Sequence, residues 1–267
     1  MDETTKIIRE YYDSNVEVEW NRIADRPEFL LTCRMLDRYI KPGDTVCDIG
    51  GGPGRYSLHL SERGCEVTLI DLSAENVKFA AERAALQGLS IQSMVGDARD
   101  VDSLSRETYD HVLLMGPMYH LLEEEARVKA VHAALKLLKP GGILFVSFIN
   151  MFSGMIFYMR EDPSFSAEPE GNTYIQDVID GKNYSGQAFT KAFFIDMKAV
   201  FPFMAQFPLE KLHLFGQEGV TSPCEGSIMA QSREVIDLWL DFSEAVWERE
   251  EFFSYSEHLM YVGRKTC

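Results

Sequence analysis

The eleven residues Val46-Cys47-Asp48-Ile49-Gly50-Gly51-Gly52-Pro53-Gly54-Arg55-Tyr56 constrain this chain more than any others. A short apolar run ends on an acidic residue, four glycines follow within five positions, and an amphipathic segment resumes. Glycines placed so let the chain turn sharply and let a ligand reach the backbone where a Cβ would collide. Strand, glycine turn and helix in that order make the first unit of an open α/β sheet, and ligands bind at the carboxyl ends of its strands. The spacing also narrows the ligand. Counting from Gly50 and Gly52, Arg55 occupies the third glycine position of a dinucleotide fingerprint. No G-x-x-x-x-G-K-[ST] run exists for a P-loop. The pattern that remains is Asp-x-Gly-x-Gly-x-Gly, built from Asp48, Gly50, Gly52 and Gly54.

Around this loop, short apolar runs alternate with amphipathic stretches. The pattern predicts strands at 45–49, 66–70, 91–95, 109–115 and 143–148, with helices near 56–63, 74–87 and 123–138. The last helix carries Val128, Val131, Leu135 and Leu138 at helical steps and is stopped by Pro140-Gly141-Gly142. Such alternation implies parallel strands with right-handed crossovers. Two further strands are expected at 211–215 and 259–262, with a long helix at 233–252 between them. The fold class is therefore α/β, a doubly wound, seven-stranded, mostly parallel sheet. Four segments follow: an N-terminal helical lid (1–44), an α/β core that holds the ligand (45–150), an insertion after the fifth strand (151–208) and the remainder of the sheet (209–267). The insertion holds nine of the 17 phenylalanines and five of the 12 methionines. It reads as an insertion, not as a separate folding domain.

These residues resemble the class I S-adenosylmethionine-dependent methyltransferases, above all the ubiquinone-biosynthesis-like group. The resemblance runs strongly over 45–150 and weakly over the last two strands. It implies that the loop of Gly50, Gly51, Gly52 and Gly54 lies under the methionine part of the cofactor, with Asp48 holding the loop and the cofactor's amino group. Asp71, 19 residues beyond Gly52, ends the second strand with Leu72 beside it. A carboxylate there accepts from both ribose hydroxyls. Asp97 and Ala98 follow the third strand, where the family contacts the adenine amino group. Met115 and Gly116 follow the fourth, past which the cofactor runs. S-adenosylmethionine is thus the implied cofactor, S-adenosylhomocysteine its product, and a methyltransferase the implied enzyme, transferring to an O, N or C nucleophile of a small molecule.

Methyl transfer needs alignment and exclusion of water more than it needs a base. His120 is the catalytic candidate, since it follows the strand expected to flank the methyl group and histidine titrates near neutrality. Cyclopropane-fatty-acid-synthase-like enzymes carry a similar loop histidine after a glutamate, where this chain has Tyr119. The resemblance implies that the 151–208 insertion and the N-terminal helix cap the substrate, and Tyr119 is a candidate substrate contact. Tyr11, Tyr12, Trp20 and Arg22 are candidates for the cofactor entrance. The Gly116-Pro117-Met118-Tyr119 run lacks the leading polar side chain of enzymes that methylate nucleic-acid amino groups.

Charge reinforces that exclusion. Asp and Glu number 42 against 26 Lys and Arg, a formal charge of −16, which repels phosphate backbones and anionic membrane surfaces. No run approaches the length of a membrane-spanning helix, and no signal core opens the chain, so a cytoplasmic protein is expected. Five scattered cysteines without a CxxC pair read as reduced thiols, and no His/Cys spacing suggests a metal. The partner implied is a small-molecule acceptor, without nucleic acid or membrane. Two alternatives stay open: a protein or RNA methyltransferase, and a catalytically silent S-adenosylmethionine-binding regulatory protein.

Overall fold

The computed structural model describes residues 2–105 and 107–266; Cys267, one of the five cysteines, lies outside them. Three helices lead in: α1 (Glu3–Ser14), α2 (Val16–Arg22) and α3 (Pro27–Tyr39). The alternating core follows as β1 (Thr45–Ile49), α4 (Arg55–Glu62), β2 (Glu66–Asp71), α5 (Ala74–Leu86), β3 (Ile91–Val95), α6 (Val101–Leu104), β4 (Tyr109–Leu114), α7 (Glu124–Leu137) and β5 (Leu138–Asn150). Strands β3, β2, β1, β4 and β5 lie side by side in that order, all parallel. Their near-continuous apolar runs suit a sheet buried on both faces. Residues alternate between the faces: Val112, Leu114, Leu144 and Val146 join one core, and Val46, Leu113 and Phe145 the other. The first core is closed by α7, which buries Ala130, Val131, Ala134 and Leu135. The second is closed largely by α3, whose Leu31, Met35 and Leu36 are fully buried. Helix α7 stops at Leu137 because Pro140 disfavours helical backbone just before it.

After β5 come α8 (Phe152–Glu161), α9 (Pro169–Ile179), β6 (Tyr184–Gln187), β7 (Lys191–Ile195) and α10 (Met197–Met204). Then follow β8 (Leu209–Gly216), α11 (Glu225–Met229), α12 (Arg233–Val246) and β9 (His258–Lys265). Strand β9 runs antiparallel between β5 and β8. Here the expected count of seven strands is corrected to nine. The insertion supplies the extra pair, a β6–β7 hairpin that joins β5 at Ile149↔Phe194 and Asn150↔Ile195. Strand β4 has ended by then, its last pair being Leu114↔Val146, so β7 takes the vacated edge above it. The insertion also shares the main core through Phe193, Ile195, Val200 and Met204. The helix expected over 233–252 ends at Val246, and a 3-10 turn occupies Glu250–Tyr255. Within 1–44, α1 and α2 border the site, whereas α3 belongs mainly to the core and reaches the cleft through Glu28. No described helix is long and apolar enough to cross a membrane.

Candidate active site

One cleft opens along the carboxyl ends of β1, β2, β3 and β4, as an open parallel sheet dictates. It brings together Asp48, Gly50, Gly51, Gly52, Asp71, Leu72, Asp97, Ala98, Met115, Gly116, Tyr119 and His120. Gly54 is the exception among the expected cofactor contacts. It caps α4 with φ +90°, and a Cβ there would meet the Cβ of Ala80 at 2.9 Å, so it serves the packing of α4 on α5.

The glycines of the loop divide their work. Gly50 and Gly116 bring two loops into contact: a Cβ on Gly116 would sit 2.7 Å from the carbonyl oxygen of Gly50. Gly52 instead faces open space, with nothing within 4 Å of where a Cβ would stand and φ at +56°. That is the bare backbone a ligand can approach. Asp71 stiffens the same loop. Its Oδ2 accepts from Gly52 N–H at 2.8 Å, and its Oδ1 from Ser73 N–H at 2.9 Å and Asn76 Nδ2 at 3.2 Å. Burial nevertheless raises its pKa, against these hydrogen bonds.

Asp48 is 1% exposed and accepts from Ser57 Oγ at 2.7 Å. Burial, with Asp71 adding like charge, pushes its carboxyl up to about 7. A carboxyl so placed favours a cationic ligand, which would restore its charged form. Asp97 is held by Arg99 through the backbone N–H and the guanidinium, which outweigh burial and lower its pKa. Arg99 also reaches Asp2 at 3.2 Å and Thr5 Oγ1 at 3.0 Å. Ser73 Oγ donates to Asp13 at 2.6 Å. These contacts tie α1 across the cleft.

His120 stands on the wall, 8% exposed. Its Nδ1 lies 3.0 Å from the carbonyl of Lys191 and must donate there, so Nε2 accepts from Tyr12 Oη–H at 2.6 Å. Burial holds the imidazole down at about 4 despite the carbonyl. Both ring nitrogens are engaged, whereas taking a proton directly from an acceptor needs a free Nε2. Of the entrance candidates, Tyr12 and Arg22 line the cleft; Trp20 stacks under Arg55, 3.9 Å from ring centre to guanidinium, and Tyr11 packs on Phe189.

Beyond Tyr119 the cleft continues into a group of which sequence reasoning named Arg22 and missed the rest. Arg22 donates to Glu19 and to Glu28, at 2.9 Å each. Buried Glu218 accepts at Oε1 from His258 Nδ1 (2.6 Å) and at Oε2 from Ser256 Oγ (2.7 Å) and His258 N–H (3.0 Å). Burial alone would pull the His258 imidazole down, but Glu218, with Glu28 nearby, pushes it up to about 9. Gln217 bridges Ser147 and Thr32. Glu28, Glu218 and His258 bring three potential ligand atoms within 4.8 Å of one another, though Arg22 and the imidazole already balance the carboxylates. One signal for this group existed. Strand β8 runs parallel to β5, so Gln217 and Glu218 leave it at the ligand edge, and antiparallel β9 begins there with His258.

Residues 46–142 match the family described as Methyltransferase domain. The ubiquinone biosynthesis O-methyltransferase of Caulobacter vibrioides is 38% identical over 108 residues, 40% of this chain and 42% of that protein. Its namesake from Xanthomonas campestris is 33% identical over 144 residues, 53% of this chain and 59% of that one. Over that segment the chain is similar to methyltransferase domains. The chain spans about half the length of the curated relatives it matches. Solved structures extend the likeness of fold to nearly the whole chain. A Burkholderia thailandensis 1,6-didemethyltoxoflavin-N1-methyltransferase with bound S-adenosylhomocysteine gives a TM-score of 0.61 at 15% identity, over 98% of this chain and 88% of that one. The magnesium protoporphyrin IX methyltransferase of Synechocystis, also with that ligand, gives 0.58 at 14% over 99% and 100%.

Proposed function

We propose that the chain is an S-adenosylmethionine-dependent methyltransferase acting on a small molecule. The observation that carries this is the placement, around one cleft and at successive strand ends, of a carboxyl without a counter-charge (Asp48), an open glycine (Gly52) and two further carboxylates (Asp71, Asp97). Each matches one part of the cofactor. The methionine backbone would lie on Gly50–Gly52 with its ammonium toward Asp48, the ribose hydroxyls at Asp71 beside Leu72, and the adenine at Asp97 and Ala98. When bound, the cofactor supplies an electrophilic methyl and leaves as a neutral thioether.

The chain's own residues then orient and exclude water. Helices α1 and α2 cover the cleft, and Tyr119 forms its wall beside Met115 and Gly116. His120 fixes Tyr12 on that wall and acts as a positioning residue. An acceptor small enough to enter between these covers suits the site. The formal charge of −16 argues against RNA, and the intact carboxylates and glycines argue against a silent binding protein. Calorimetry with S-adenosylmethionine, S-adenosylhomocysteine and NAD tests the cofactor. Binding of NAD without either sulfur ligand would overturn the reading. A metabolite extract supplied with methyl-labelled cofactor, followed by mass spectrometry, tests the reaction and identifies the acceptor.

A further inference from the structure

The acceptor end of the cleft holds one donor that the protein leaves unused. His258 is fixed at Nδ1 by Glu218, while Nε2 has no hydrogen-bond partner among the described residues and the ring lines the cleft. Glu218 is fixed in turn: two backbone or hydroxyl donors and the imidazole occupy both its oxygens, and it is 3% exposed. A histidine whose second nitrogen is anchored to a buried carboxylate is set in one tautomer and one orientation. Its neighbours Glu28 and Glu19 each give one oxygen to the same guanidinium, that of Arg22.

Resting on the methyltransferase reading, we propose that His258, positioned by Glu218, is a catalytic residue that donates from Nε2 to the acceptor's reacting atom and holds it as an anionic oxygen. The acceptor is accordingly a carboxylate or an ionised hydroxyl, and not an amine. The balance is simple. The acceptor's own proton goes to water on binding. The oxygen forms its bond to the methyl carbon while the carbon–sulfur bond breaks with its electron pair going to sulfur, and His258 keeps its proton throughout. An oxyanion bound by an ionised donor is a charge-assisted hydrogen bond, stronger than a neutral one. The groups facing the imidazole are Glu218 after β8, Glu28 on α3, Arg22 on α2, Tyr119 after β4 and Glu257 just before β9. The two carboxylates outweigh burial and Arg22, keeping the ring charged through neutral pH.

The test uses the full chain loaded with S-adenosylhomocysteine, whose binding is measured first. Para-nitrophenol and benzoate serve as probes of the hydroxyl and the carboxylate. In buffer well below the phenol's own ionisation midpoint, bound para-nitrophenol should show the phenolate absorption band. His258→Asn should weaken whichever probe binds by tenfold or more while S-adenosylhomocysteine still binds. NMR titration of the histidines should place His258 far above His120, and Glu218→Gln should lower the His258 midpoint and, with it, the pH above which the probe is released. A merely structural role for Glu218 would leave that pH limit in place. The wild-type spectrum decides even if a variant fails to fold. A probe bound as neutral phenol, no binding of either probe, or equal binding by His258→Asn overturns the proposal. Failure of the wild type to bind S-adenosylhomocysteine overturns the underlying reading, and this one with it.

Discussion

Replacing Asp48 by Asn separates what this carboxyl costs the fold from what it gives the ligand. Unfolded, the group titrates near 3.8; folded, burial and Asp71 push it up to about 7. A raised folded pKa contributes stability in full below the unfolded value and loses it as pH rises through the folded value. The whole gap is 7 minus 3.8, about 4 kcal/mol at 1.36 kcal/mol per pH unit. Between about pH 5 and about pH 8 the wild type should lose roughly 3 kcal/mol that Asp48→Asn keeps, because the amide does not titrate. Comparing the two proteins at both pH values cancels whatever the substitution does to packing. Ser57 can still donate to the amide oxygen, so the variant should fold. Calorimetry should show the opposite effect on the ligand: S-adenosylhomocysteine binding weaker by about 1.5–3 kcal/mol, as for a lost charged hydrogen bond. Urea melts whose stability difference is the same at both pH values would refute the electrostatic reasoning. Unchanged ligand affinity in the folded variant would remove Asp48 from the site.

Asp71→Ala should weaken S-adenosylhomocysteine binding by about 1.5–3 kcal/mol and free the Gly52 amide, which calorimetry and amide exchange would both report. Gly116→Ala should cost about 1–3 kcal/mol in urea denaturation, because the new methyl would meet backbone, the Gly50 carbonyl at 2.7 Å, and not a yielding side chain. Tyr12→Phe removes the donor to His120 Nε2 and leaves a buried acceptor unpaired. Stability should fall by about 1–3 kcal/mol, and α1 should exchange its amides faster.

The parallel half of the sheet was legible because its signals are local. Each strand from β1 to β4 is a short apolar run closed by a turn, and each site residue there sits within a few positions of a strand end. The β6–β7 hairpin was not legible for the opposite reason. Tyr184–Gln187 carries no alternation and no large apolar residue beyond the tyrosine, and β7 pairs with β5 over only two residues, where β4 has already stopped. The early end of α12 was hidden by an apolar period that runs on through Trp247, Phe252 and Phe253, although those last residues pack from a 3-10 turn. At the site, His120 was visible by position but its partners were not, since Tyr12 and Lys191 lie 108 and 71 residues away. Glu218 and His258 are 40 residues apart, and only the antiparallel run of β9 brings them together.

The two ends of the cleft differ in what they leave unsatisfied, and that difference assigns them. At the glycine loop the carboxyl of Asp48 has a hydroxyl and no cation, so the end completes itself by accepting positive charge. At the far end Glu19 and Glu28 share the guanidinium of Arg22, and Glu218 pairs with His258. What is left over is an N–H donor, His258 Nε2, which completes itself by giving a hydrogen bond to a lone pair or negative charge. On the proposed reading a cleft built this way would order its ligands by charge: the cationic donor of the methyl group at one end, the electron-rich atom that receives it at the other. Exchanging the ligands would put positive charge beside the imidazolium and leave Asp48 without its counter-charge. Both mismatches are penalised in a cleft whose walls hold Asp48, Glu218 and His120 nearly out of water. On that reading the direction of binding would be set by the residues after β1 and β8 and before β9, without any contact specific to one acceptor.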